Sequence, residues 1–112
     1  KDVHVLGDSI QIAPGMPKSG HMANSQAKVA AAAIVAQLNG WPVNPAPMIN
    51  NNCYSYVDAK NVIHVASVHE YVAAEKTFKT VAGSGGLSSA PNELEGTYAW
   101  SWARTIWADS LW

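Results

Sequence analysis

Val3-His4-Val5-Leu6-Gly7-Asp8 opens the stretch that decides the fold, which continues through a polar loop and an Ala-rich helix to Leu38. Val3 to Leu6 predict a short buried strand. Gly7 allows a tight exit, and Asp8 sets a carboxylate at the strand's C-terminal end. Ser9 to Gly20 reads as loop, marked by Pro14-Gly15 and Pro17. The spacing of Ala23, Ala27, Ala30, Ile34 and Leu38 predicts a helix from about Met22 to Leu38, ended by Asn39-Gly40. Strand, acidic residue, loop and helix N-terminus form an arrangement by which α/β folds hold the polyol and anionic parts of a cofactor. The carboxylate accepts hydroxyl hydrogen bonds, and the free amides and dipole of the helix face negative charge.

Composition narrows the classes. With 112 residues, 48% hydrophobic and 13% charged, the chain has material for one small core and is not of disordered type. A formal net charge of -1 gives no broad basic face for nucleic acid. There is no signal peptide and no apolar run long enough for a membrane span. Five Trp are many for this length, and the ending Trp107-Ala108-Asp109-Ser110-Leu111-Trp112 would be sticky if fully exposed. The chain enters its first strand directly from Lys1, without Met. Both ends are therefore expected to require a partner surface. Cys53 is the single cysteine, so a disulfide would need a second polypeptide segment.

Trp41 to Pro47 is an extended, proline-rich connector. Strands are expected over about Asn52 to Val57, Val62 to Tyr71 and Thr77 to Val81, with Asp58-Ala59-Lys60-Asn61 as a hairpin loop. Gly83-Ser84-Gly85-Gly86 reads as a flexible link. Pro91 opens a final helix with Glu93 and Glu95 in its first turn. Leu94, Tyr98, Trp102 and Ile106 form one apolar stripe, and Trp100, Trp107 and Leu111 another, so burial against more than one surface is expected. The four histidines have no metal spacing, and His64 and His69 fall on opposite faces of a strand. Zinc, iron–sulfur and c-type haem motifs are absent, as are hydrolase nucleophile elbows and phosphate loops.

Val5-Leu6-Gly7-Asp8, Met16-Pro17-Lys18-Ser19-Gly20 and Ala23-Asn24-Ser25-Gln26-Ala27-Lys28-Val29, taken together, resemble the C-terminal part of the flavoprotein subunit of flavocytochrome c sulfide dehydrogenase. Asn52-Cys53-Tyr54-Ser55, Gly83-Ser84-Gly85-Gly86-Leu87-Ser88 and the aromatic C-terminus follow in the order that family shows. The family belongs with glutathione-reductase-like flavoproteins, which include sulfide:quinone oxidoreductases. The Gly-x-Gly-x-x-Gly fingerprint that begins such proteins is absent here. The resemblance therefore implies an α+β fragment of an α/β FAD-dependent, disulfide-oxidoreductase-like fold, the last third of a longer enzyme. Residues 1–40 would end the FAD-binding domain, and 41–112 would form a C-terminal interface region with an antiparallel sheet and a Trp-rich helix.

By composition alone Asp8 is a turn residue, Lys18 a solvated cation, Cys53 a buried structural thiol and Trp102 a core residue. The resemblance implies more specific roles. Asp8, after Gly7, would bond the ribityl chain of FAD. Lys18, Ser19, Gly20, Met22 and Ala23 would lie by the pyrimidine edge of the isoalloxazine. Cys53 would be a redox-active cysteine, paired with a second one upstream. Trp102 would be the aromatic near the flavin, with Trp100 the competing assignment. The implied activity is oxidation of sulfide to sulfur or polysulfide, with electrons passing to a c-type cytochrome subunit in the periplasm. A sulfide:quinone-type enzyme, its Trp-rich helix lying on a membrane, is the close rival. Arg104, the helix's only cation, argues against it. A non-catalytic interaction domain without flavin is the rival from another class.

Overall fold

A computed structural model describes residues 3–11 and 13–111; Lys1 and Trp112, named above, lie outside this range. After a 3-10 turn at Gly7–Ser9 come α1 (Gly20–Leu38), β1 (Met48–Tyr56), β2 (Val62–Val72), β3 (Thr77–Thr80), the two-residue β4 (Gly86–Leu87) and α2 (Glu93–Leu111). The strands make one antiparallel sheet in the order β1-β2-β3, with β4 also paired to β2. The fold is α+β, with a small antiparallel sheet and a C-terminal helix, as expected.

Local chemistry explains the elements. Ser19 caps α1, its Oγ accepting from the Met22 amide at 3.0 Å. The helix closes in a Schellman motif: Gly40, at φ +68°, and Trp41 donate to the Gln37 and Ala36 carbonyls. The β1–β2 turn is drawn together by Asp58, whose Oδ1 accepts from the Lys60 and Asn61 amides at 2.8 and 2.7 Å. These bonds hold the Asp58 carboxyl down at about 2. At α2 the cap is Asn92 rather than Pro91, its Oδ1 accepting from the Glu95 amide at 2.9 Å.

Several expectations are corrected. Val3–Leu6 is not a strand. Leu6 is extended, but the segment pairs with no described strand, and Val3 and Val5 stand 85% and 65% exposed. Without a partner strand the amides of an exposed extended segment are left to water, and no ladder forms. β1 starts at Met48, four residues before the expected strand, because Met48 to Asn51 pair with Ser67 to Glu70 of β2. Gly86, expected in a flexible link, belongs to β4. The buried residues of α1 are Met22 and Ser25; Ala23, Ala27, Ala30 and Ile34 of the expected face are half-buried, as is Val29, and Leu38 is exposed. The packed side of α2 runs through Glu95, Ala99, Trp102, Ala103 and Ile106, leaving Leu94, Tyr98, Trp100, Trp107 and Leu111 exposed.

The core is correspondingly small. Met16, Met22 and Ile49 are buried together with Ile10, Ala13, Val29 and Phe78 against them, while Val62 and Ala99 are buried where α2 meets the sheet. The chain exposes 7732 Å², against roughly 5,900 Å² for a folded monomer of its mass. Its radius of gyration is 15.9 Å, against about 13 Å for a compact domain of this length.

Candidate functional site

β1 is an edge strand, and an edge strand leaves a row of unpaired amides and carbonyls. Here α1 supplies the partners. The Asn52 amide donates to His21 Nδ1 at 2.9 Å, and Ser25 Oγ donates to the Asn50 carbonyl at 3.0 Å. One residue between them, Asn51 is buried, and its Oδ1 accepts from Ser19 Oγ at 2.5 Å and from Cys53 Sγ at 3.4 Å. The cap of α1, the middle of β1 and the Cys53 thiol thus form one connected unit.

Two concavities flank this N-terminus. Gly7, Asp8, Lys18, Ser19, Met22 and Ala23 all border a tight groove closed by Ile10, Met16 and Gln26. Gly7 is at φ +73°, and its amide donates to Gln26 Oε1 at 2.6 Å. The exposed Asp8 side chain projects beside Lys18, whose Nζ donates to the Asp8 backbone carbonyl at 2.8 Å. Met22 is 1% exposed, with its side chain in the core and its amide held by Ser19.

The second concavity, about 350 Å³, is bordered by Ser19, Gly20, His21, Cys53, Tyr54 and Trp102, with Ile106 and Trp107 at its α2 side. Cys53 and Trp102, 49 positions apart in sequence, therefore face the same space. Trp102 meets His21 edge-on at 5.6 Å and Tyr54 tilted at 5.6 Å, and its Nε1 is buried without a partner. Trp100 is placed elsewhere, 59% exposed on a groove with Tyr56, Lys60 and Glu93. Ser19 borders both concavities. The structure thus brings the expected polyol-side and thiol-side residues to one helix N-terminus, with Gly20 on the thiol side.

A third cluster, missed from sequence, anchors α2. His64 Nδ1 lies 3.0 Å from both Glu95 Oε2 and Ser88 Oγ, and Ser88 Oγ donates to Glu95 Oε2 at 2.5 Å. Both partners share one ring nitrogen, whereas a hydrolase relay needs them on opposite nitrogens. The hydrogen bonds from Ser88 and His64 hold the Glu95 carboxyl below its ordinary value. His64 touches Tyr54, centroids 5.8 Å apart, so the anchor backs the wall of the Cys53 cavity. On the other side of β2, His69 is fully buried between Ser67 and Thr80, and burial pushes its pKa down. Among the described residues no His, Cys, Asp and Glu group could hold a metal ion, and no helix is long and apolar enough to cross a membrane.

The signal for the edge contacts was present in sequence. His21 and Ser25 are one helical turn apart and face an Asn run that cannot satisfy its own outer edge. Residues 45–111, which carry the sheet, Cys53 and Trp102, match the family model described as flavocytochrome c sulphide dehydrogenase, flavin-binding, and the chain belongs to that flavin-binding family, with FAD as its cofactor.

Proposed function

We propose that this chain is the flavin-facing, C-terminal portion of a periplasmic sulfide dehydrogenase that oxidises sulfide to sulfur or polysulfide and delivers electrons to a c-type cytochrome subunit. The observation that carries the reading is the shared position of Ser19. It joins a groove with a free carboxylate to a cavity with a thiol at the positive end of one helix.

The residues fit part of FAD. The Asp8 carboxylate is open to accept ribityl hydroxyls. The Gly20 and His21 amides at the start of α1 find no acceptor among the described residues, and a Cβ added at Gly20 would meet nothing within 4 Å. Such amides suit the electron-rich pyrimidine edge of a flavin. The chain has no Gly-x-Gly-x-x-Gly turn for the pyrophosphate, so that half of the cofactor falls to another segment. The excess of exposed surface over a self-contained domain supports the same division.

When bound, FAD supplies the two-electron sink. In the oxidised state Cys53 would be joined to an upstream cysteine. Hydrosulfide attacks the upstream sulfur; the bond between the two cysteine sulfurs breaks, a persulfide bond forms, and Cys53 leaves as thiolate. The Cys53 sulfur borders the cavity beside the α1 N-terminus, next to Asn51, whose amide oxygen accepts from it only while it is a thiol.

The test is Cys53→Ser in the complete flavoprotein. FAD should stay bound, and dithionite should still reduce it. Sulfide-dependent reduction should fall by orders of magnitude, since serine offers neither a disulfide nor a good sulfur leaving group. Near-normal turnover with a lowered melting point would return Cys53 to a structural thiol.

A further inference from the structure

His21 has no metal-ligand spacing in the sequence, yet it occupies the second position of α1 and borders the Cys53 cavity. Its hydrogen bonding fixes its chemistry. The Asn52 group at 2.9 Å from Nδ1 is a backbone amide, which can only donate. Nδ1 must therefore present a lone pair, and the proton of the neutral ring sits on Nε2. Because the amide can only donate, this bond favours the neutral ring over imidazolium. Two other features act in the same direction. Burial, with the Lys28 charge adding to it, pushes the His21 pKa below the ordinary imidazole value. The positive end of α1 also disfavours a further cation. The ring meets Trp102 edge-on at 5.6 Å, and the Asn52 amide on Nδ1 sets its orientation. No described residue accepts from Nε2, which leaves that N–H available to the cavity.

We propose that His21 is a fixed Nε2–H hydrogen-bond donor to negative charge in the Cys53–Trp102 cavity, and not a base there. Its acceptor is an anion of sulfur or the reduced flavin edge, two sources that need the same donor. The proposal rests on the functional reading of the cavity given above. A ring whose Nδ1 lone pair is taken and whose Nε2 already holds a proton has no site from which to abstract one. The groups facing His21 are compatible with this role. Lys28 lies on its own helix and is ion-paired with Asp109 of α2, β1 contributes Cys53 and Tyr54, and the α2 residues that border the cavity carry no charge. A donor held in place by the backbone stabilises developing negative charge without reorganising.

The experiment uses the flavin-loaded complete protein. Ring nitrogen NMR of the wild type should show His21 as the Nε2–H tautomer at neutral and mildly alkaline pH; an Nδ1–H tautomer or an imidazolium there overturns the proposal. His21→Phe should slow sulfide-dependent flavin reduction at least about tenfold, and His21→Gln, which keeps an N–H donor, should restore most of it. The bell or plateau of the pH–rate profile should keep its shape in both variants; loss of an ionisation near pH 6–7 would make His21 a base. A lowered flavin midpoint potential in His21→Phe assigns the acceptor to the reduced flavin. An unchanged potential with a slowed sulfide step assigns it to sulfur. Unaltered rate and potential in a folded His21→Phe sink the donor role. If Cys53→Ser also retains turnover, the cavity itself has been misread; if only the His21 variants are silent, the fault lies with this inference alone.

Discussion

Gly96 gives the sharpest test of how α2 is seated. It lies inside the helix, where replacing glycine by alanine ordinarily gains about 1 kcal/mol, because alanine has less backbone freedom to lose. Here the sign should reverse. A Cβ on Gly96 would stand 2.7 Å from the Lys60 carbonyl oxygen and 3.6 Å from Val62 Cγ2. The close atom is backbone, in a hairpin loop whose amides are tied to Asp58. Relief therefore requires α2 to move off the hairpin by roughly half an ångström, although Val62 beside it is packed to interior density. That movement pulls on the paired bonds between Val62 and Asn92, at 3.1 and 3.2 Å, and uncovers the fully buried Val62. Overpacking of this kind costs about 1–3 kcal/mol. Set against the helix gain, Gly96→Ala should destabilise by about 1 kcal/mol, a fall of about 4 °C or more in Tm. Thermal unfolding followed by near-ultraviolet circular dichroism reads it through the Trp residues of α2. Thr97→Ala, on the exposed side of the same turn, isolates the helix gain and should raise Tm slightly. A rise in Tm for Gly96→Ala would refute the seating described here.

Other variants address the site. Asp8→Ala should leave Tm nearly unchanged, because the Asp8 side chain is exposed; in the complete protein it should weaken FAD binding about tenfold or more, for a lost charge-assisted bond of roughly 1.5–3 kcal/mol, measured by flavin release. Gly20→Ala has open space and needs no unusual backbone angle, so folding should be unharmed; a drop in FAD affinity at constant Tm would report close approach of the cofactor, and unchanged affinity would place the flavin elsewhere. Glu95 is a carboxyl held below its ordinary value by Ser88 and His64, so its contribution is present above the usual carboxylate range and is lost as pH falls through the lowered value. Melting curves from about pH 7 to 3 should show Glu95→Gln less stable than wild type at neutral pH, with the gap closing on the acid side; a constant gap would mean that the charge is irrelevant.

What the sequence disclosed follows from where each signal is stored. The β1–β2 hairpin was legible because Asp58-Ala59-Lys60-Asn61 carries its own turn chemistry within four residues. The end of α1 was legible for the same reason, in Asn39-Gly40. The faces of the helices were legible only in part. Ala-rich α1 has small apolar residues all round, so its packed side is chosen by Ser19, His21 and Ser25 reaching polar atoms of β1, which apolar spacing cannot reveal. On α2 the large aromatics drew the expected stripe, yet Ala99 is the buried residue and Glu95 the anchor. Val3–Leu6 has the composition of a buried strand, but strand pairing is a property of two segments, and no described segment pairs with it. The grouping of Cys53 with Trp102 was implied only by family resemblance, since no local rule relates a strand residue to a helix residue so far along the chain.

The geometry around Cys53 has a consequence for how the two concavities can act together. Ser19, His21 and Ser25 bind Asn51, Asn52 and Asn50 in turn, so three residues at the start of α1, its cap included, are matched to three on β1. Each such bond contributes about 0.5–1.5 kcal/mol net, but breaking one leaves a partner group unmatched at a half-closed edge, which costs about 1–3 kcal/mol. The helix therefore cannot slide along the strand without breaking several bonds at once. A charge placed before the α1 amides and the sulfur of Cys53 then keep a fixed separation. Flexibility, where a reaction needs it, must come from the cavity's other wall. There Trp102 is held by ring contacts to His21 and Tyr54 and by no hydrogen bond at Nε1. Edge and tilted ring contacts are worth only about 0.5–1.5 kcal/mol beyond their buried area. They let the indole shift by small amounts while the strand and helix that hold the thiol stay in register.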